Sequence, residues 1–300
     1  MGGDFLKTLI SNSYPWFKGN LHMHTTKSDG QLSPEDATKL YRDAGYDFIA
    51  LTDHRQVSYS DRDQNMLILP GVEWDCGNSA HPPVYHIVSI GATYEGCMLP
   101  TQQNTPQEII DLVNAAGGVA ILAHPTWSLM DPNELYDLKG IAATEIFNSA
   151  SDFPHNAPRA DASHYFDLWA MKGRLMPAVA TDDSHPYKSE ATRSYTMVQA
   201  DSLTEENIIK ALKEGNFYAS QGPRFKEVSY DCNRVIIRFS EDVKRVYLYS
   251  NSVWVDERVF IDPEGEVIYE IMPTDRYLRI ELVDSEGRRA WSSPFAVVPE

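Results

Sequence analysis

Basic residues are scarce in this chain: 26 Lys and Arg stand against 43 Asp and Glu, a formal charge of −17. A surface of that sign repels a nucleic-acid backbone at long range, so no nucleic-acid partner is expected. It does not exclude a small anionic substrate, because bound metal cations invert the local field. Cysteine is scarce as well. Cys76, Cys97 and Cys232 are scattered without a CxxC pair, which argues against a disulfide framework and against a thiolate metal site. Buried free thiols are the expectation. No apolar run approaches the roughly 20 residues needed to span a bilayer, so no membrane association is expected. The start, Met1-Gly2-Gly3-Asp4-Phe5, lacks the basic and apolar segments of a secretory signal, and a cytoplasmic location is the expectation. Internal repeats, low-complexity segments and a basic, aromatic-rich groove signal are also missing.

What is present is an ordinary globular composition, 42% hydrophobic and 23% charged over 300 residues, enough for one large barrel-type domain or a medium domain with a small one. Up to about Gly222, short apolar runs alternate with helical patterns. Residues 16–23, 47–52, 66–73, 84–91, 119–123, 142–147 and 175–180 read as strands, several buried on both faces. Helices open at Ser33-Pro34-Glu35-Asp36 and at the capping box Thr105-Pro106-Gln107-Glu108. Another covers 162–172, and a fourth runs from Thr204 to a stop at Gly215. Such alternation predicts a parallel sheet, open or closed into a barrel. After Gly222-Pro223 the text changes to seven short strands without helices, between 227 and 297. That pattern predicts a small antiparallel β-sandwich. The expected units are 1–223 and 224–300.

The chemistry-bearing residues sit at strand ends. His22-Met23-His24 closes the first strand, and residues i and i+2 of a strand share a side, so both imidazoles can reach one ion. Asp29-Gly30 follows in a polar loop. Thr52-Asp53-His54, Gly71-Val72-Glu73, Ala123-His124-Pro125 and Asp182-Asp183-Ser184-His185 end later strands, and His86 lies in the run Tyr85-His86-Ile87-Val88. Parallel strands bring their C-terminal ends to one rim. A lone histidine there means little; six with three acids at successive ends point to a metal centre.

The segment from Gly19 to Gly30, with Thr52-Asp53-His54, Gly71-Val72-Glu73, Ala123-His124-Pro125 and Asp183-Ser184-His185 in order, resembles the motifs of the polymerase-and-histidinol-phosphatase (PHP) family. The likeness covers residues 16–222. The stretch from Leu212 to Pro223 is similar to the domain end in the CehA-like branch, which often carries a β module. The resemblance implies a distorted (β/α)₇ barrel of PHP type, followed by the β-sandwich, with a trinuclear centre. His22, His24, Glu73 and Asp183 would hold the first metal. Glu73 would bridge to a second completed by His86 and His124. Asp29, His54 and His185 would hold the third, with Asp29 where some relatives carry His. Asp182 competes with Asp183, and His81 with His86.

Two or three divalent ions (Zn, Mn or Fe) would lower the pKa of a bridging water and align an ester for in-line attack by the resulting hydroxide, held by Glu73 and the neighbouring ligands. The expected activity is hydrolysis of a small phosphomonoester or phosphodiester. Hydrolysis of a carboxylic or carbamate ester and a non-catalytic, metal-stabilised binding module are the alternatives. Arg55, Lys188 and Arg193 follow metal motifs and are candidate phosphate contacts. Asp53 is a candidate partner for His54, though it can equally cap the following loop, and Glu145 a candidate pocket support. Trp74, Trp127 and Tyr187 are candidate pocket walls, with aromatic packing the alternative. His155 and His164 are expected to be non-ligands.

Overall fold

Phe48–Leu51, Val119–Leu122 and Ala178–Thr181 are buried along their whole length, as strands covered on both faces must be. They belong to one large sheet in the computed structural model, which describes residues 6–78, 80–154, 156, 158–253 and 255–297. Its core section runs Trp16–Asn20, Phe48–Leu51, Met66–Asn78, His81–Ile90, Val119–Leu122, Ile141–Asn148 and Ala178–Thr181. The first three are mutually parallel, and so are the last three. His81–Ile90 stands between the two sets, antiparallel to both neighbours. Six strands therefore point the same way, and their C-terminal ends share one rim.

The exception has a local cause. Met66–Asn78 runs five residues past the expected end at Glu73, leaving only residues 79 and 80 before the next strand. A parallel crossover needs a dozen or more residues, so the chain makes a hairpin instead. Two further strands, Tyr195–Gln199 and Phe217–Ser220, were not anticipated in the sequence and extend the sheet antiparallel beyond Trp16–Asn20.

The strand ladder is open where the expected barrel would close. Ala178–Thr181 ends the sheet, and the Thr196 side-chain hydroxyl donates to Ala180 O. Just past the strand ends, however, Met23 and Ser184 form an isolated parallel bridge. There Asp183 N donates to His22 O at 2.8 Å and His24 N to Ser184 O at 3.0 Å. The four expected helices form as Pro34–Asp43, Pro106–Ala115, Ser163–Met171 and Glu205–Glu214; the short Pro132–Asp137 adds a fifth among the described residues. Ser33 Oγ accepts from Asp36 N, Thr105 and Glu108 close their capping box, and Gly215 takes the left-handed φ of 77° that stops the last helix. None is long and apolar enough to cross a membrane.

The C-terminal strands form two facing antiparallel layers. Phe225–Tyr230, Arg234–Phe239 and Glu266–Glu270 make one layer, joined at its edge by Lys7–Ile10 from the other end of the chain, a strand absent from the sequence reading. The other layer, Val259–Ile261, Val243–Tyr249, Tyr277–Asp284 and Arg289–Trp291, continues the large sheet, because Arg289–Trp291 pairs with Phe217–Ser220. Ile10, Val228, Ile237, Phe239, Val246 and Ile280 fill one core with the side chains around them. Of the thiols expected to be buried, Cys76 is; Cys97 and Cys232 are exposed.

One ion pair fastens the sandwich to the helix Ser163–Met171. Arg279 is fully buried and grips Asp167 with two nearly parallel bonds, Nε to Oδ1 at 3.0 Å and Nη2 to Oδ2 at 2.8 Å. Removing the acid strands a buried guanidinium, for which broken buried pairs cost about 3–5 kcal/mol. Asp167→Ala should therefore lower stability by about 3 kcal/mol in denaturant unfolding. An unchanged midpoint would show that the contact contributes nothing.

Candidate metal centre

Beyond Trp16–Asn20 the chain keeps its extended alternation. Met23 turns into the core, and His22 and His24 face the opposite side, all three without exposed surface. Their Nε2 atoms approach to 3.2 Å. Glu73 enters from Met66–Asn78 and Asp183 from the turn after Ala178–Thr181. His22 Nε2 lies 3.2 Å from Glu73 Oε1 and 3.2 Å from Asp183 Oδ1. His24 Nε2 lies 3.2 Å from Glu73 Oε2 and 3.1 Å from Asp183 Oδ1. The hairpin delivers His86: it pairs with Asp75 across the antiparallel ladder, which puts its Nδ1 2.8 Å from Glu73 Oε1. His124 Nε2 stands 3.5 Å from the same oxygen. His54 bridges outward, Nδ1 3.0 Å from Glu73 Oε2 and Nε2 3.6 Å from Asp29 Oδ2. His185 Nε2 is also 3.6 Å from Asp29 Oδ2. All nine sequence-identified residues thus meet at the rim, in overlapping groups able to hold metal ions. His124 and Asp183 do so in left-handed backbone, φ 26° and 52°, a strain that non-glycine residues bear mostly at functional sites.

The donor chemistry fits divalent cations. Glu73 Oε2 and Asp183 Oδ1 are buried carboxylate oxygens that receive no well-aligned hydrogen bond and face only imidazole nitrogens, at 3.0–3.2 Å, a costly state unless a cation shares the space. Three imidazoles are turned by their other nitrogen. His22 Nδ1 bonds Glu145 Oε1 at 2.7 Å, His185 Nδ1 the carbonyl of Asp183 at 2.7 Å, and His124 Nδ1 Ser128 Oγ at 2.9 Å, each leaving Nε2 toward the centre. Glu145 also accepts from Thr181 Oγ1, His124 N and Asn148 Nδ2, and Asn148 Nδ2 reaches Asp183 Oδ2 at 3.1 Å. The sequence places Asn148 at a strand end on the rim, in Glu145-Ile146-Phe147-Asn148, without a role of its own; that role appears only where the strand end meets Asp183.

Electrostatics bind the set together. Burial alone would lower the His22 imidazole, but Asp183, Glu73 and Glu145 outweigh it and hold its pKa well above the ordinary value. His24 is likewise pushed up to about 9, its burial overcome by Asp183 and Glu73. Burial would raise Glu73, yet His86 and His22 hold it well below the usual carboxylate range, and Asp183 is lowered by the same balance of burial against His22 and His24.

Other candidates are placed elsewhere. Asp182 faces away from the cluster and accepts from Tyr41 Oη, Ser149 Oγ and the backbone of 192–194, burial raising it to about 7. Asp53 does not touch His54 but anchors the loop after His24. The three candidate phosphate contacts are placed outside the pocket lining. Arg55 is drawn to Asp75 at 3.4 Å, Arg193 to Asp152 at 3.0 Å in a different cleft, and Lys188 is exposed. Of the aromatics, Trp127 walls the pocket, Trp74 is buried with Nε1 on Tyr94, and Tyr187 donates to His24 O. His81 and His164 are exposed, and His155 lies outside the described residues.

The chain shares the fold of a two-domain protein from Bacteroides vulgatus containing a predicted PHP-like metal-dependent phosphoesterase. The match has 18% identity and a TM-score of 0.55, and it covers 100% of this chain and 96% of that one. The lesion-specific endonuclease PfuEndoQ of Pyrococcus furiosus matches less well, with 16% identity, a TM-score of 0.48, 67% of this chain and 56% of that one. No protein-family model matches the sequence, and no curated protein sequence does.

Because the carboxylates keep His24 protonated up to about pH 9, a metal must displace its proton. Loading near pH 7 should release protons, and affinity should rise with pH; titration calorimetry in buffers of different ionisation enthalpy reads this, and a buffer-independent heat would contradict it. Glu145→Gln removes the charge behind His22 and should weaken metal binding by about 10–100-fold. Unaltered affinity in a chelator competition would refute that role.

Proposed function

We propose that this protein is a metal-dependent phosphoesterase of the PHP type that hydrolyses a small phosphomonoester or phosphodiester. The observation that carries the reading is the pair of buried anions, Glu73 and Asp183, with bare oxygens facing imidazoles from several strand ends. In this reading His22, His24, Glu73 and Asp183 hold one ion, Glu73, His86 and His124 a second, and Asp29, His54 and His185 a third. Such ions supply positive charge to phosphate oxygens and make water acidic enough to attack at neutral pH. The protein's own residues do the rest. Glu145 fixes His22 and the His124 backbone, Asn148 steadies Asp183, and Trp127, Ala150, Ser151 and Asn156 wall the substrate space.

That space measures about 240 Å³, below the roughly 300–1,000 Å³ of common ligand sites, and favours a small ester. We read the open sheet with its Met23–Ser184 bridge as a distorted barrel, residues 1–223 apart from the strand Lys7–Ile10 as the catalytic unit, and 224–300 together with that strand as a β module of the CehA-like kind. One observation favours a second reading. Among the described residues no Lys or Arg lines the pocket, which suits the neutral ester of a carboxylic or carbamic acid as well as a phosphate.

Assays of the metal-loaded protein on p-nitrophenyl phosphate, bis(p-nitrophenyl) phosphate and p-nitrophenyl acetate separate the two. Turnover of a phosphate ester that chelation abolishes is expected. His124→Ala and Asp183→Ala should each cost roughly two orders of magnitude or more, with the fold retained by circular dichroism. Turnover of the acetate alone would favour the second reading, and full activity in either variant would overturn the site.

A further inference from the structure

The nine residues differ sharply in exposure. His22, His24, Glu73, His124 and Asp183 are buried and the His86 side chain is 14% exposed, whereas those of His54 and His185 are 23% and 29% exposed and that of Asp29 is 54% exposed. Asp29 rides on a short loop whose neighbours Thr26 and Lys27 are also exposed. A loop with so little packing needs another reason to hold one shape.

Asp53 supplies it. Its carboxylate is 1% exposed, and no Lys or Arg pairs with it among the described residues. Both oxygens are used on this one loop. Oδ1 accepts from Thr25 N at 2.7 Å and Ser28 Oγ at 2.7 Å, and Oδ2 accepts from Thr25 Oγ1 at 2.8 Å. The Thr25 carbonyl then takes Ser28 N and Gly30 N, both at 3.0 Å. Gly30 can sit there because it lacks a side chain: a Cβ would lie 2.1 Å from His24 O. Gln31 N, one residue on, donates to His185 O at 2.8 Å. A buried carboxylate without a counter-charge thus fixes Asp29 from one side, while the loop's far end is tied to His185. His54 is the residue next to Asp53 itself.

Resting on the metal reading above, we propose that Asp53 is a positioning residue. It holds Asp29 toward His54 and His185, and the ion taken by these three is separable from the buried pair, bound more weakly and exchanged on its own. Occupancy of that position then follows the free divalent-cation concentration, while the buried pair stays loaded. The loss of Asp53 releases the loop and this one ion. Its amide analogue keeps the loop, because one amide oxygen can take both Oδ1 bonds and the amide nitrogen can donate to Thr25 Oγ1.

The test loads metal-free wild type, Asp53→Ala, Asp53→Asn and Ser28→Ala with Mn²⁺ or Zn²⁺ alone. It counts bound ions per chain by elemental analysis after gel filtration, then follows their loss to a chelator. Wild type should hold three ions, one leaving at least tenfold faster than the others. Asp53→Ala should hold two, Asp53→Asn three, and Ser28→Ala three with the labile ion faster still. Ser28 is only half-buried, so that variant stays informative if Asp53→Ala fails to fold. Three tightly held ions in Asp53→Ala, or an unaltered labile ion in Ser28→Ala, would overturn the positioning role. Three ions lost together from wild type would overturn separability, and two ions in wild type would overturn the outer position while leaving the buried pair intact. No bound ion in any form would instead sink the metal reading itself.

Discussion

Two carboxylates buried among imidazoles are the constraint around which the rim of this protein is organised. Glu73 and Asp183 are held anionic where burial alone would protonate them, and each keeps an oxygen without a well-aligned hydrogen bond. In a low-dielectric interior that arrangement is expensive unless positive charge fills it. Protonated imidazoles supply the charge when no metal is bound, and divalent cations replace those protons when one is. The proton inventory and the metal inventory are two states of one electrostatic balance.

The fold delivers that balance through backbone direction. Six strands run to the same rim, and the antiparallel strand between them contributes by turning back immediately, so His86 enters from the middle of its strand, paired with Asp75. The bridges Met23–Ser184 and His54–Glu73 continue pairing just past the ladders and bring ligand-bearing turns together. Behind them, Glu145, Asn148 and Asp182 spend their hydrogen bonds on aiming neighbours. The β-sandwich packs against this frame through Arg279 and Asp167, and among the described residues it contributes none to the His, Asp and Glu cluster.

The cluster of histidines and acids was legible in the sequence because such residues at the ends of apolar runs are a local pattern, readable one strand at a time. The helix caps at Ser33, Thr105 and Gly215 were legible for the same reason. What escaped depends on distant encounters. Arg193 follows a metal motif yet turns to Asp152, forty-one positions away. Asp53 neighbours His54 in sequence but serves Thr25 and Ser28. Lys7–Ile10 pairs with Phe225–Tyr230 from the opposite end of the chain, a partnership no local window contains. The antiparallel course of His81–Ile90 follows from a hairpin that extends five residues beyond the apolar run that announced it.

Anomalous diffraction from crystals grown with Zn²⁺ or Mn²⁺ tests the central claim most directly. Peaks within about 2.0–2.2 Å of the Glu73 carboxylate and of Asp183 Oδ1 are the result this account predicts. A fully loaded crystal whose only peaks lie elsewhere, with Glu73 and Asp183 still facing bare imidazoles, would contradict it.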